Sequence, residues 1–197
     1  MDDRPRGKPL LVILSVVFLD LAGIGILIPV VPILPAGPRS PFYLLPAGYT
    51  IQTGYILLGW LVTIYPLCQF LAAPIPGQLS DRYGRRRLLG ISVTGTCISY
   101  IIFAFGIVTR NIPPFGVARG FDGIAGGNIP VAQAVIVDIT PPEPRAKNFG
   151  LLGAAFGLGF IIGPYIGGKL SDPSIVSWFT AATPFRFAAL LSAMNVA

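Results

Sequence analysis

Long runs of apolar residues recur along this chain and leave few residues for a solvated surface. Charged residues make up 11% of the sequence and hydrophobic residues 53%. A soluble domain carries about 25% charged residues, so a chain this poor in charge cannot cover itself with a hydrated face. The apolar surface therefore needs lipid as its solvent, and in lipid a chain of this size spans as helices. The sequence predicts an all-α membrane protein whose first partner is the lipid bilayer.

Six apolar stretches are predicted to be transmembrane helices of one domain covering residues 1–197. Because a helix needs roughly 20 apolar residues to cross the bilayer core, the first five are long enough. The sixth is still apolar where the sequence stops at Ala197, which we interpret as an incomplete last helix. The predicted spans are 10–34, 54–76, 88–108, 115–137, 149–170 and 182–197.

The gaps between these stretches predict the orientation, because cytoplasmic loops are enriched in Lys and Arg. One side receives nine basic residues and the other three. The amino terminus is therefore predicted to be cytoplasmic, with the protein in the inner (plasma) membrane. The basic-rich side contains Arg4, Arg6, Lys8, Arg82, Arg85, Arg86, Arg87, Arg145 and Lys147, and the other contains Arg39, Arg110 and Lys169.

Other functional classes find little support in the sequence. Since the basic residues lie in the gaps between apolar runs, their pattern indicates topology, and nucleic acid is not a predicted partner. The chain has no His, and its two cysteines, Cys68 and Cys97, lie inside apolar runs, as buried small residues do. No catalytic triad, phosphate loop or metal cluster is present, so we predict no enzyme activity, no metal and no cofactor.

Three ionisable residues lie well inside predicted spans: Asp20, Arg119 and Asp122. A charge near the bilayer centre costs at least about 2.5–3.5 kcal/mol, so such residues usually mark a pathway for ions or substrate. Arg119 and Asp122 are three residues apart and share a helix face. We interpret Asp20 as a proton or cation-substrate site beside a water-lined path, with Arg119 tuning it. The alternative is a buried ion pair that only fixes helix packing.

The segment between the second and third spans combines acid, glycine and arginine. It reads GQLSDRYGRRR, from Gly77 to Arg87, and is interpreted as a cytoplasmic loop. This segment resembles the signature of the major facilitator superfamily. In span five, the spacing of the glycines with Pro164 is similar to the antiporter motif of that family. Asp20 and its following glycines and prolines resemble span one of tetracycline-type and multidrug proton antiporters, and Arg119 with Gly123 resembles a span-four motif.

The resemblance implies the amino-terminal half of a drug:proton antiporter, a six-helix bundle built from an inverted three-plus-three repeat. It implies a conformational latch at Gly77, Asp81, Arg82, Gly84, Arg85 and Asp138, in which Asp81 and Arg85 form a charge network with Asp138. It also implies that the span-five residues pack against the partner half; they are Gly150, Gly159, Gly163, Pro164, Gly167 and Gly168. Asp20, Arg119 and Asp122 would line the proton and substrate pathway.

The implied function is proton-coupled efflux of drug-like amphiphilic small molecules by alternating access. The implied partners are a small-molecule substrate, protons, and a missing carboxy-terminal half or a second copy of the chain. Tetracycline pumps often carry an acid in span three just before an aromatic residue, whereas here Ser99 precedes Tyr100, which puts tetracycline itself in doubt. A second hypothesis is a half-size or truncated module that does not transport without a partner half or dimerisation.

Overall fold

The computed structural model describes residues 7–45, 48–126 and 128–196. These residues form nine helices joined by short connections, and none of them lies in a β-strand. The helices are α1 (Gly7–Val30), α2 (Ile33–Ala36), α3 (Ile51–Ala72), α4 (Pro74–Tyr83), α5 (Arg85–Val108), α6 (Pro113–Ala125), α7 (Asn128–Ile139), α8 (Arg145–Leu170) and α9 (Thr183–Val196).

Four helical stretches in the described part of the chain are long and apolar enough to cross a membrane: Leu10–Ala36, Ile51–Tyr83, Arg85–Val108 and Arg145–Leu170. They contain 27, 33, 24 and 26 residues, against the roughly 20 that a crossing needs. The prediction of an all-α membrane protein is confirmed. The regions predicted as spans four and six are built from shorter helices, α6 with α7, and α9.

The helices pack with an internal symmetry. α1 packs on α8 and α9, while α6 packs on α3 and α5, and α5 also packs on α9. Exchanging α1 with α6, α3 with α8 and α5 with α9 leaves this pattern of neighbours unchanged. An inverted repeat of three spans followed by three spans produces this arrangement. Its core is a stack of aromatic rings, in which Phe103 of α5 lies 4.7 Å from Phe115 of α6 and 4.3 Å from Phe185 of α9.

The segment predicted as a loop between spans two and three is helical, so that prediction is wrong. Pro74 begins α4 in the first turn, where its missing N–H is tolerated, and α4 continues through Asp81 to Tyr83. Gly84 has a φ of 91°, a conformation that favours glycine, and it turns the chain directly into α5 at Arg85. A single residue therefore separates two helices, which leaves the charged side chains on ordered helix ends.

The predicted fourth span, 115–137, is interrupted in its middle. α6 ends at Ala125 and α7 begins at Asn128. Gly126 and Pro130 explain the interruption, because glycine weakens a helix and proline removes a backbone donor. Non-helical backbone at membrane depth needs partners within the protein, and the side chain of Gln69 donates to the Gly126 carbonyl at 3.0 Å.

Candidate functional site

The predicted intramembrane residues meet inside the bundle. Asp20 lies in α1 and is 8% exposed, and Asp122 lies in α6 and is 3% exposed. Asp20 lies near enough to Asp122 for the two charges to interact, so we treat the two carboxyls as one electrostatic cluster. Tyr65 of α3 and Tyr100 of α5 also lie within electrostatic range of both carboxyls. We call Asp20, Tyr65, Tyr100, Arg119 and Asp122 the buried polar cluster; it draws on four helices.

Arg119 is held between α6 and α3. Its Nε donates to the backbone carbonyl of Leu61 at 3.3 Å, and its guanidinium carbon lies 4.8 Å from the ring centroid of Tyr65. Its Nη1 lies 4.0 Å from Asp122 Oδ2 and has no hydrogen-bond partner in the described part of the protein. Pro66 lies inside α3, where it loosens the backbone hydrogen-bond ladder beside this contact. The arginine therefore fixes α3 to α6 and keeps one buried donor available.

Asp122 lies where α6 packs on α5. It forms an ion pair with Arg119 on its own helix, and Thr96 of α5 lies beside its carboxyl. Two further hydroxyls tie α5 to α6: Ser99 Oγ donates to the Ala118 carbonyl at 2.9 Å, and Ser92 Oγ donates to the Ala125 carbonyl. Ser99 is therefore committed to the contact between α5 and α6.

Both carboxyls lie inside helix packing in this conformation, which differs from the predicted water-lined path beside Asp20. A cavity of about 250 Å³ lies close by, at the interruption between α6 and α7. Its lining includes Gln69 of α3, together with Gly123 and Gly126. Gly123 follows Asp122 directly, so the cavity reaches the residue next to the cluster.

Gly123 allows α3 and α6 to pack tightly at this point. A Cβ added to Gly123 would lie 2.8 Å from Cys68 Cβ and 3.2 Å from the Gln69 backbone nitrogen. Since the second contact is with backbone, the neighbouring helix has little freedom to move aside. The pairing of Arg119 with Gly123 therefore has a physical reason: the glycine brings α3 close, and the arginine then reaches the Leu61 carbonyl.

Charged residues form a second group where α4, α5 and α7 meet. Arg85 Nη2 lies 3.1 Å from Asp81 Oδ1, and Arg85 Nε donates to Asp138 Oδ2 at 2.5 Å. Arg85 also donates to Ser80 Oγ at 3.3 Å. The structure thus contains the charge network that the motif implied. Arg82 lies beside it in α4 with its guanidinium carbon 5.5 Å from the Tyr83 ring centroid, and Gly77 lies in α4 as well.

The Arg85 network should contribute little stability, and unevenly. Exposed ion pairs contribute about 0.2–1 kcal/mol each. The Asp138 side chain is 51% exposed and that of Asp81 69%, so Asp138→Asn should lower the unfolding free energy by about 0.5 kcal/mol and Asp81→Asn by less. Thermal unfolding in detergent measures this difference. Glu143→Gln, an exposed acid outside the network, is the control; a larger loss for Asp81→Asn would contradict this ranking.

The glycines of span five face two directions. A Cβ on Gly159 would lie 2.8 Å from Leu21 Cβ, and one on Gly163 would lie 2.7 Å from Gly25 Cα. Gly167 likewise abuts the backbone of Ile26. These three glycines therefore pack against α1 of the same bundle, whereas the resemblance implied contact with a partner half.

The other residues of the motif differ. Added Cβ atoms on Gly150 and Gly168 would meet nothing within 4 Å, and Pro164 contacts Gly25 on the α1 side.

Several residues of the site were not predicted from the sequence. Tyr65 and Tyr100 lie within apolar stretches like other aromatic residues, and Gln69 and Thr96 are isolated polar residues in such stretches. No sequence motif marks any of the four. A weak signal was present, because Tyr65 and Gln69 are four residues apart on one face of α3 and Gln69 Nε2 donates to Tyr65 Oη at 3.3 Å. Polar side chains inside spans mark helix contacts or pathways, so their spacing carried usable information.

Comparison with known proteins agrees with this architecture. A family model described as Major Facilitator Superfamily matches residues 12–197. The tetracycline resistance protein, class C, of Escherichia coli is 40% identical over 187 residues, covering 95% of this chain and 42% of that protein. The class B protein of Escherichia coli is 38% identical over 179 residues, covering 91% of this chain and 40% of that protein.

A solved structure of a membrane transporter has the same fold as this chain. The crystal structure of the human organic anion transporter MFSD10 (TETRAN) superposes with a TM-score of 0.76 and 26% sequence identity, covering 98% of this chain and 46% of that chain. This chain therefore spans less than half the length of the proteins it matches, and it corresponds to their amino-terminal half.

Proposed function

Because this chain belongs to the Major Facilitator Superfamily, we propose that it is the amino-terminal half of a secondary transporter that exchanges cytoplasmic amphiphilic small molecules for external protons. The observation that carries the proposal is the buried polar cluster. Two carboxyls and a guanidinium lie buried between the helices of the bundle, Asp20 on α1 and the other two on α6. Burying ionisable groups in a membrane protein costs free energy, and a role in binding a proton or a substrate explains why they are present.

The physical basis of coupling is charge neutralisation. A buried carboxyl can lose its charge by binding a proton, or it can keep the charge beside a positive group. Arg119 is that positive group for Asp122 within α6. Asp20 approaches the cluster on a separate helix, α1, so relative movement of α1 and α6 changes its electrostatic environment. A transporter can use this change to bind a proton on one side and release it on the other.

Alternating access supplies the second part of the proposal. The Arg85 network ties α4, α5 and α7 together at one end of the bundle, and its carboxylates are exposed enough to meet a partner half. Large apolar side chains on α3 and α8, such as Trp60 and Ile161, are exposed and suit contact with lipid or that half. We propose that the latch closes this end on the cytoplasmic side, with the amino terminus in the cytoplasm and the protein in the inner membrane.

The substrate class is proposed more broadly than tetracycline. Named relatives include tetracycline resistance proteins and an organic anion transporter, so their names describe more than one kind of compound. A permissive, mostly apolar cavity fits amphiphilic compounds of either kind. Small polar nutrients fit it poorly. Catalysis has no part in this proposal, since moving a molecule between two aqueous sides requires no bond to break.

Transport by inside-out vesicles from cells that express the full gene product tests the proposal. A pH gradient with the acidic side inside should drive uptake of tetracycline or of at least one fluorescent amphiphile, and nigericin should abolish it. Vesicles from cells lacking the protein are the control. Uptake that is absent for the whole panel, or that survives collapse of the gradient, would rule out proton-coupled export.

A half-size module that needs dimerisation or a partner half is the second candidate. One observation favours it: the chain matches only 42% of the class C tetracycline protein. The residues 1–197 should be expressed alone, reconstituted, and examined by size-exclusion chromatography with light scattering beside the transport assay. A monodisperse active dimer supports a half-size transporter, and an inactive species of any size supports a requirement for the partner half.

A further inference from the structure

The hydroxyl of Tyr100 is buried without a hydrogen-bond partner. Tyr100 lies in α5 and is 1% exposed, and its Oη contacts no donor or acceptor within hydrogen-bonding geometry in the described part of the protein. Leaving a buried hydroxyl unpaired destabilises a fold, because the group loses its hydrogen bonds to water and gains none in return. Phenylalanine would fill the same space without leaving a hydroxyl unpaired.

The position of this hydroxyl is defined by α1. A Cβ added to Gly23 would lie 3.0 Å from Tyr100 Cζ and 3.2 Å from Cε2, so the phenol end of the ring reaches the α1 backbone. Gly23 follows Asp20 by three residues, which is one turn along the same helix. The absence of a side chain at Gly23 is what lets the hydroxyl come this close to α1.

Charged groups surround the hydroxyl from the other helices. Asp122 and Arg119 act on it from α6, Asp20 from α1 and Tyr65 from α3. α9, α4 and α7 also pack on α5. Their titratable residues are Arg186 on α9, and Asp81, Arg82, Tyr83 and Asp138 on α4 and α7, where Asp81 and Asp138 pair with Arg85 at the start of α5. The Tyr100 hydroxyl thus lies between α1, which carries Asp20, and α6, which carries Asp122.

We propose that the Tyr100 hydroxyl is a proton relay between the carboxyls of Asp20 and Asp122. This inference rests on the proton-coupled exchange proposed above. In the step, protonated Asp20 gives its proton to the Tyr100 oxygen while the Tyr100 O–H passes its own proton to the Asp122 carboxylate. One O–H bond breaks and one forms at the phenol oxygen, so the tyrosine is neutral before and after, and no other reactant is consumed.

The relay explains why the hydroxyl is unpaired here. A group that must pair with one carboxyl and then the other cannot be held permanently by a third partner. In this conformation it pairs with neither, so the transfer takes place in a conformation in which α1 has shifted against α5. Gly23 permits such a shift because it carries no side chain that would lock α1 against the Tyr100 ring.

Tyr100→Phe tests the relay, because it removes the hydroxyl and keeps the ring. Proton-driven transport by the full-length protein should fall by about a hundredfold, which is the lower end of what a positioned proton donor contributes, and its dependence on external pH should flatten. Substrate–substrate counterflow at equal pH on both sides needs no proton transfer and should stay at the wild-type rate. Tyr55→Phe, on the exposed side of α3, is the matched control.

Each other outcome overturns the relay in a distinguishable way. Proton-driven transport at the wild-type rate with an unchanged pH profile would show that the hydroxyl takes no part, and it would leave the proposed function intact. Loss of counterflow together with proton-driven transport would assign Tyr100 a structural role. Wild-type protein that transports with no dependence on a pH gradient would remove both the proposed function and the relay that rests on it.

Discussion

Asp20→Asn should reduce proton-driven transport to the level of vesicles that lack the protein, while the amount of protein in the membrane stays unchanged. Asparagine has nearly the same shape as aspartate and cannot gain or lose a proton. The side chain of Asp20 is 8% exposed, so the amide fits the same packed site. Uptake driven by a pH gradient, normalised to protein by immunoblot, measures the effect.

The matched control is Asp172→Asn, which makes the same chemical change outside the membrane spans. Asp172 accepts a hydrogen bond from the Ser174 backbone nitrogen at 2.9 Å. The Ser174 side chain, together with this backbone bond, lowers the pKa of its carboxyl. Its neutralisation should leave transport unaltered. Retention of proton-driven transport by Asp20→Asn would remove Asp20 from the mechanism, and a comparable loss in Asp172→Asn would show that the assay responds to charge in general.

Gly163→Ala should destabilise the bundle strongly, whereas Gly168→Ala should not. A Cβ at Gly163 would lie 2.7 Å from Gly25 Cα and 3.0 Å from Gly25 C, both of which are backbone atoms that cannot swing away. Overpacking of this kind costs about 1–3 kcal/mol. At Gly168 the added methyl meets nothing within 4 Å, and replacing a helical glycine with alanine favours the helix by roughly 0.5–1 kcal/mol.

These two variants are matched, since both change a glycine of the same motif in the same helix by one methyl group. Unfolding temperature in detergent and transport rate should both fall for Gly163→Ala and remain at or above the wild-type value for Gly168→Ala. Equal effects on stability would mean that α1 and α8 do not approach as closely as described. A loss of transport in Gly168→Ala with full stability would point instead to a contact with the partner half.

The sequence predicted the membrane class and the approximate positions of the helices, because apolar composition and charge placement respond to lipid directly. It did not predict that Gly77–Tyr83 is helical. Dense arginine suggested a loop there, whereas the helices on either side are separated by Gly84 alone. The interruption of the fourth span was also missed, although Gly126 and Pro130 carry its physical cause.

The site was only partly predictable, for a different reason. Depth along a span follows from counting residues, so Asp20, Arg119 and Asp122 were found. The direction in which a side chain points is set by packing between helices, and a single sequence does not contain it. The contact from Arg119 to the Leu61 carbonyl involves a backbone atom that no side-chain pattern marks. The glycines of α8 predicted a close helix contact, and only the structure identified α1 as the neighbour.

Proton flux driven by substrate alone tests the central claim most directly. Liposomes containing the full-length protein and a pH dye should be loaded with substrate at equal internal and external pH, then diluted into substrate-free buffer. If the buried carboxyls exchange a proton for each departing substrate, the lumen acidifies as substrate leaves, and it does not in liposomes with Asp20→Asn. Substrate leaving at the full rate from the wild-type protein while the internal pH stays constant would contradict the account.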